Sequence, residues 1–429
     1  MQRRAFLKAS ACAVAVGAPL TYLFSGREPR GDVLVPDPDN LIDLPPGFTY
    51  RVLGRAFDRL TDGFRAPAAP DGMACFTLPN GHWALMRNHE LDRDPREGAF
   101  GGKAPAPAFD PSAQGGVSRL VLDPRTLEVR SSNMVLAGTL RNCAGGPSPW
   151  GWLSCEETVE PGHGYVFACP ITADGLVRAE PLRGYGRFRH EAVAIDPRTH
   201  IAYLTEDEGD GCLYRFVPAS FETPFVGKLQ ALLVNDAPNY ETAERMGTDA
   251  RVAVRWVDVP VPDAGEPDPL REAAHGAGAA LIRRGEGIWY HDGAVYLSST
   301  SGGKAGLGQV FRLQVAHGDL ALASHGAGSP PYDALELLAE SSATSQLDGP
   351  DNITVAPWGE VFVAEDGGGE QYIRAIDAKG GVRDIARNAS SGGELAGVCF
   401  SPDGSTLFFN LQREGVTVAV RGPWQDTSA

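Results

Sequence analysis

Short β-branched and aromatic runs recur along the chain between turn signals, and long stretches with the spacing of an amphipathic helix are lacking. Among them are His82-Trp83-Ala84-Leu85-Met86, Ala192-Val193-Ala194-Ile195, Ala294-Val295-Tyr296-Leu297, Glu360-Val361-Phe362-Val363 and Thr406-Leu407-Phe408-Phe409. Several share one layout: an Asp-Pro-Arg or Pro-Asp-Gly turn, a strand, a polar tip, a glycine-rich turn and a second strand. Asp196-Pro197-Arg198 leads through Glu206-Asp207 to Leu213-Tyr214-Arg215-Phe216, and Gly359 leads through Glu365-Asp366 to Tyr372-Ile373-Arg374-Ala375. A third copy runs from Pro402-Asp403-Gly404 through Asn410 to Val416-Thr417-Val418-Ala419. Degenerate repetition of strand hairpins predicts an all-β chain folded as a β-propeller; a large sandwich or two β domains is the alternative.

In a propeller, one end of the strands faces a central channel, where tips far apart in sequence converge. Six tips carry ligand-type groups: Asn88-His89-Glu90, Cys155-Glu156-Glu157, His190-Glu191, Glu206-Asp207-Glu208, Arg284-Gly285-Glu286 and Glu365-Asp366. Taken singly, most acidic tips are solvated turns. Two stand out. Cys155 lies directly beside two carboxylates, a mixture of soft and hard donors expected where a transition metal and a harder cation sit close together. Arg284 and Glu286, two apart on a strand, point the same way and are placed to face one bound anion and its metal.

Composition narrows the function. The net charge of −16 repels nucleic acid and anionic membrane surfaces. Arg3-Arg4-Ala5-Phe6-Leu7-Lys8, followed by a largely apolar run over residues 9–24, reads as a twin-arginine export signal. Residues 1–30 are therefore set aside as a signal segment handled by the twin-arginine machinery, and residues 31–429 as one propeller domain, expected to be monomeric and to act in the periplasm or outside the cell. No stable membrane span is expected after processing. Six of the seven cysteines follow the signal, so three disulfides are arithmetically possible, and a Cys143–Cys155 pair competes with ligation at Cys155.

At these positions the sequence resembles the PhoX-type alkaline phosphatases. The resemblance runs through Asp43-Leu44-Pro45-Pro46-Gly47-Phe48, Arg87-Asn88-His89-Glu90, Asn142-Cys143-Ala144-Gly145-Gly146 and Ser154-Cys155-Glu156-Glu157. It continues through Arg189-His190-Glu191-Ala192, Tyr203-Leu204-Thr205-Glu206-Asp207, Arg284-Gly285-Glu286-Gly287 and Pro350-Asp351-Asn352-Ile353. Each motif alone is weak; their order along nearly the whole chain is specific.

The resemblance implies a six-bladed propeller whose channel holds a metal cluster of two oxo-bridged Fe3+ ions with Ca2+ around them. It implies hydrolysis of small phosphate monoesters outside the cytoplasm. Cys155, Glu156, Glu90, Glu191, Glu206, Asp207, Glu286 and Asp351 are then the expected metal ligands, with Arg284 and Glu286 against the substrate phosphate. The chemistry is coherent, because metal ions neutralise phosphoryl oxygens and supply an oxide or hydroxide nucleophile, while an arginine forks onto phosphate in a way lysine cannot. Phosphodiesters or nucleotides on the same site, and a noncatalytic calcium-binding propeller, are the competing readings.

Overall fold

The computed structural model describes residues 33–247, 250–260, 269–316, 332–344 and 346–424. The expected export segment lies outside the described residues. Within them no helix is long and apolar enough to cross a membrane. Among the described residues helix is confined to Arg183–Tyr185, Thr242–Arg245 and Pro269–Gly276; their remaining regular structure is antiparallel sheet, arranged as an all-β, propeller-like fold.

Six strands begin successive meanders: Pro70–Thr77, Asn142–Ser148, His190–Ile195, Gly285–His291, Pro350–Val355 and Leu395–Phe400. Each lies against the next, and the last lies against the first, so they form a closed ring around an axis. Their alternation is lost because both faces are covered. His190–Ile195, Pro350–Val355 and Leu395–Phe400 are buried at every residue, as expected of strands packed between neighbouring sheets. Thr49–Arg55 pairs with Val416–Arg421 and completes the last meander, so an early strand and the last one share one sheet and the ring has no free seam.

One departure from separate hairpin repeats is clear. The meanders that begin at His190 and Gly285 are fused through Arg251–Asp258, which pairs with Gly227–Val234 on one side and Ala334–Glu340 on the other. The product is a continuous nine-stranded sheet. The extra strand covers two outer edges that would otherwise expose unpaired backbone.

All six inner strands share a device that the repeat pattern alone does not reveal. Each pairs with the following strand through a register shift: between Pro70 and Met73, Asn142 and Gly145, His190 and Val193, Gly285 and Ile288, Pro350 and Ile353, and Ala396 and Cys399. In every case one additional residue is accommodated, the signature of a β-bulge, which bends the strand and re-aims a side chain. The bulges also bring backbones unusually close. A side chain on Gly72 would lie 2.6 Å from the Cα of Ala144, and one on Gly287 would lie 2.6 Å from the Ile353 nitrogen. Only a cavity of about 20 Å³ remains beside them, lined by Gly72, Ala144, Ala192, Gly287, Asn352 and Gly397 among others. Farther along the fourth inner strand, Trp289 packs against three separate apolar clusters, so the strands stay close-packed beyond the bulges. The channel therefore has a floor.

Candidate metal centre

The residues carried at the bulges are Asp71, Cys143, Glu191, Glu286 and Asp351; the sixth strand has Gly397 there. Together with Glu90 and Glu157 they form three overlapping groups whose donor atoms lie within 4.8 Å of one another: Asp71, Glu90 and Cys143; Cys143, Glu157 and Glu191; Glu191, Glu286 and Asp351. Cys143 and Glu191 each belong to two groups, so the donors make a continuous row. Asp71 and Glu191 have no exposed surface, and Glu286 retains 3%.

This density of acid is costly without cations. Burial, then the charges of Glu286 and Asp351, pushes the Glu191 carboxyl well above its ordinary range. Burial and Asp351 do the same to Glu286, and burial followed by Glu90 and Asp351 does so to Asp71. Burial lifts Glu90 to about 7, and burial with Asp366 lifts Asp351 to about 8. Glu394, on the approach to the sixth inner strand, is raised in the same way. Both oxygens of Glu191 and Oδ1 of Asp71 are buried without a hydrogen-bond partner. Buried polar atoms are nearly always partnered, so these orphaned oxygens, next to a thiol and further carboxylates, fit a set of bound metal ions. Carboxylates suit Ca2+, and the thiol suits a softer transition metal such as iron.

Arginines form the rim. The guanidinium of Arg284, with 40% of its side chain exposed, donates to Asp207 Oδ1 at 2.8 Å, Asp207 Oδ2 at 3.1 Å and Glu286 Oε1 at 2.8 Å. Burial opposes its charge, but Asp207 and Glu286 hold it protonated. Arg141 and Arg189 occupy the same place before their own inner strands as Arg284 does before its strand, and both are partly exposed. Closed below and lined by cations above, the acid row is reached from the rim.

The structure brings five of the expected ligands to this region and sends three elsewhere. Glu90, Glu191, Glu286 and Asp351 lie in the row, and Asp207 stands at its edge, paired with Arg284. Cys155 requires correction. It sits on the second strand of its meander, alternating with Leu153 on a face that packs into an apolar cluster with Val166, Tyr185 and Phe188. Burial pushes its thiol well up, as burial and nearby acids do that of Cys143, so it is placement that separates the two. Cys143, on the bulge of the innermost strand, takes the channel position instead, its Sγ donating to Asp71 Oδ2 at 3.5 Å. Both cysteines are free thiols, so the alternative of a Cys143–Cys155 disulfide is not seen.

Glu156 and Glu206 are displaced by a single residue. Each ends a second strand, pointing into the wall, where it ties down the following loop. Glu156 accepts from the Leu140, Gly164 and Tyr165 amides and bonds His163 Nδ1 at 2.7 Å. Glu206 accepts from the Cys212 amide, Tyr214 and Arg271, and Glu365 plays the same part with the Asp348 and Tyr372 amides and Arg374. Their fully used oxygens contrast with the orphaned ones of Glu191. In two of these tips it is the following residue, Glu157 or Asp207, that turns to the channel side.

Asp71, Cys143 and Arg141 were not among the expected site residues. A signal was present: an acid or cysteine followed by a small or polar residue and then Met, Gly, Val or Ile, as in Pro70-Asp71-Gly72-Met73, Asn142-Cys143-Ala144-Gly145, His190-Glu191-Ala192-Val193, Gly285-Glu286-Gly287-Ile288 and Pro350-Asp351-Asn352-Ile353. Aligning the inner strands on that motif, rather than the hairpin tips, picks out the row.

A family model described as alkaline phosphatase PhoX matches residues 30–128 and 125–415. The chain belongs to the PhoX alkaline phosphatase family. It is accordingly a phosphoric ester hydrolase of the PhoX type. The solved structure of Pseudomonas fluorescens PhoX in complex with vanadate, a transition state analogue, shares its fold with a TM-score of 0.69 at 18% identity, covering 91% of this chain and 98% of that one. A structural genomics protein of unknown function from Bacteroides thetaiotaomicron VPI-5482 overlaps more loosely, with a TM-score of 0.45 at 10% identity over 87% of this chain and 76% of that one. A gluconolactonase from Xanthomonas campestris gives a TM-score of 0.39 at 12% identity over 86% and 94% of the two chains. No curated protein matches the chain.

Proposed function

We propose that this PhoX-family chain is a metal-dependent phosphomonoesterase acting outside the cytoplasm, built as a six-bladed propeller with its metal ions held along the row from Asp71 to Asp351. The blade number is supported by six inner strands in a closed ring, each with the same bulge. Metal dependence rests on the orphaned buried oxygens of Glu191 and Asp71 inside overlapping donor groups. That is the observation carrying the proposal. Export is supported by the Arg3-Arg4 signal motif.

Asp71, Glu90, Cys143, Glu157, Glu191, Glu286 and Asp351 would hold the ions, a combination suited to iron at Cys143 and Ca2+ among the oxygens. Bound metal would neutralise the phosphoryl oxygens, activate the attacking water and stabilise the leaving alkoxide. The protein's own part is positional. Arg284 reaches the mouth with Nη1 outside its bonds to Asp207 and Glu286, so it can take a phosphate oxygen while Asp207 fixes the plane of its fork. Glu286, bonded to that guanidinium and a member of the row, keeps the phosphate-binding group in register with the metal position. The bulge floor stops substrate and bulk water from approaching from beneath.

Purified protein replete with iron and calcium is expected to hydrolyse p-nitrophenyl phosphate at alkaline pH, to lose that activity to chelators, and to drop about 100-fold or more in kcat/KM with Arg284→Ala. Replete protein inert toward both mono- and diesters defeats the proposal. Diester hydrolysis without monoester hydrolysis would reassign the substrate class.

A further inference from the structure

We propose that Arg141 is a positioning residue that couples two metal positions by holding one carboxylate from each. This rests on the metal-centre reading above. Its Nη2 lies 2.6 Å from Glu90 Oε1 and 2.5 Å from Glu157 Oε2. Glu90 belongs to the donor group with Asp71, and Glu157 to the one with Glu191; Cys143 is common to both. One guanidinium nitrogen thus bridges the two groups on the side facing the rim.

The backbone shows why this residue occupies the junction. The Arg141 amide donates to Leu91 O at 2.9 Å, next to Glu90, and the Arg141 carbonyl accepts from the Glu157 amide at 2.9 Å. Arg141 has φ +45° and leads directly into the inner strand that carries Cys143, so the chain is pinned between both acid-bearing segments before the strand begins. Its Nε also donates to Glu157 O at 3.2 Å. Glu90 has Oε2 bonded only to Gln412, at 3.1 Å, and Glu157 Oε1 lies 3.8 Å from Arg189. Each carboxylate therefore gives one oxygen to Arg141 and keeps the other for an ion.

Arg284 makes an instructive contrast. It spends two of its three hydrogen bonds on Asp207, which lies outside the donor groups, whereas both acidic partners of Arg141 are inside them. A guanidinium with both acidic partners inside the donor groups orients ligands. A partner of this kind commonly changes metal affinity by about 10–100-fold when removed.

The test is calorimetric titration of chelator-treated protein with Ca2+, together with iron analysis of protein purified without chelator. Arg141→Gln is expected to weaken Ca2+ binding about 10–100-fold and to lower iron content. Arg141→Lys keeps the charge, but its shorter chain cannot bring one nitrogen to both carboxylates and it has no Nε to bond Glu157 O, so it should be impaired similarly. Arg283→Gln, which removes a rim-side charge paired with Glu241 and Glu244, should bind as wild type does. Wild-type isotherms for both Arg141 variants, or full recovery by lysine alone, overturn the proposal. Wild-type protein that takes up neither Ca2+ nor iron sinks the metal-centre reading instead.

Discussion

Two buried glutamates with opposite surroundings carry the argument at the residue scale. Glu191 has neither oxygen partnered, whereas Glu156 accepts three backbone amides and bonds His163. Glu191→Gln should abolish metal retention yet stabilise the metal-free protein near neutral pH, because the fold no longer has to bury a carboxylate or take up a proton there. Glu156→Gln should destabilise by about 1–3 kcal/mol through weakened hydrogen bonds. Thermal melts of both variants, with and without metal, check the pair; similar behaviour of the two would contradict their assignment. The same contrast shows how far sequence reading reaches. It found the tips where acids gather, but a strand's side chains alternate, so a one-residue ambiguity exchanges wall for channel. Glu156 and Glu206 fell on the wrong side of that ambiguity, whereas choosing Cys155 over Cys143 took the second strand of the meander for the inner one.

The unit that repeats at the element scale is a strand with a bulge. Hairpin repetition was legible because turn residues and apolar runs are local. The bulges were not, since an additional residue in a ladder is defined only by the partner strand. Their geometry is held by specific contacts. Asn88 Nδ2 donates to the carbonyls of Cys143 and Ala144 at 3.1 and 2.6 Å, and its Oδ1 accepts from Trp152 Nε1 at 2.7 Å. This clamps the bulge that carries the channel thiol. Asn88→Leu should cost about 1–3 kcal/mol by stranding those buried groups, and should lower iron content although Asn88 lies outside the donor groups. Chemical denaturation together with iron analysis reads both effects; unchanged iron content would mean that the thiol is placed by other means.

Ring closure and the acid row set conflicting demands on the whole molecule. Closure joins Thr49–Arg55 to Val416–Arg421 and holds the six inner strands together, which forces their bulge residues into one small volume. Without metal, the folded protein keeps protons that the unfolded chain releases. Glu90 moves from 4.5 to about 7 and Asp351 from 3.8 to about 8. A raised carboxyl favours the fold at low pH and loses that contribution as pH rises through the folded value. Metal-free protein should therefore become less stable from about pH 4 to about pH 8, and bound metal should remove most of that slope. Melting curves across this range test it; metal-free stability rising with pH would contradict the electrostatic account. The closed all-β architecture was readable from the repeats. The fused nine-stranded sheet was not, because its linking strand Arg251–Asp258 belongs to an insertion without a counterpart in the repeat layout.

The central claim is that the metal ions this phosphatase uses are held along the bulge row with Cys143 as its thiol, and not at Cys155. Elemental analysis of Cys143→Ser and Cys155→Ser proteins, expressed and purified in parallel with wild type, tests it most directly. Cys155→Ser should retain the full wild-type metal complement, while Cys143→Ser should lose its iron. Iron kept by the Cys143 variant and lost from the Cys155 variant would contradict the account.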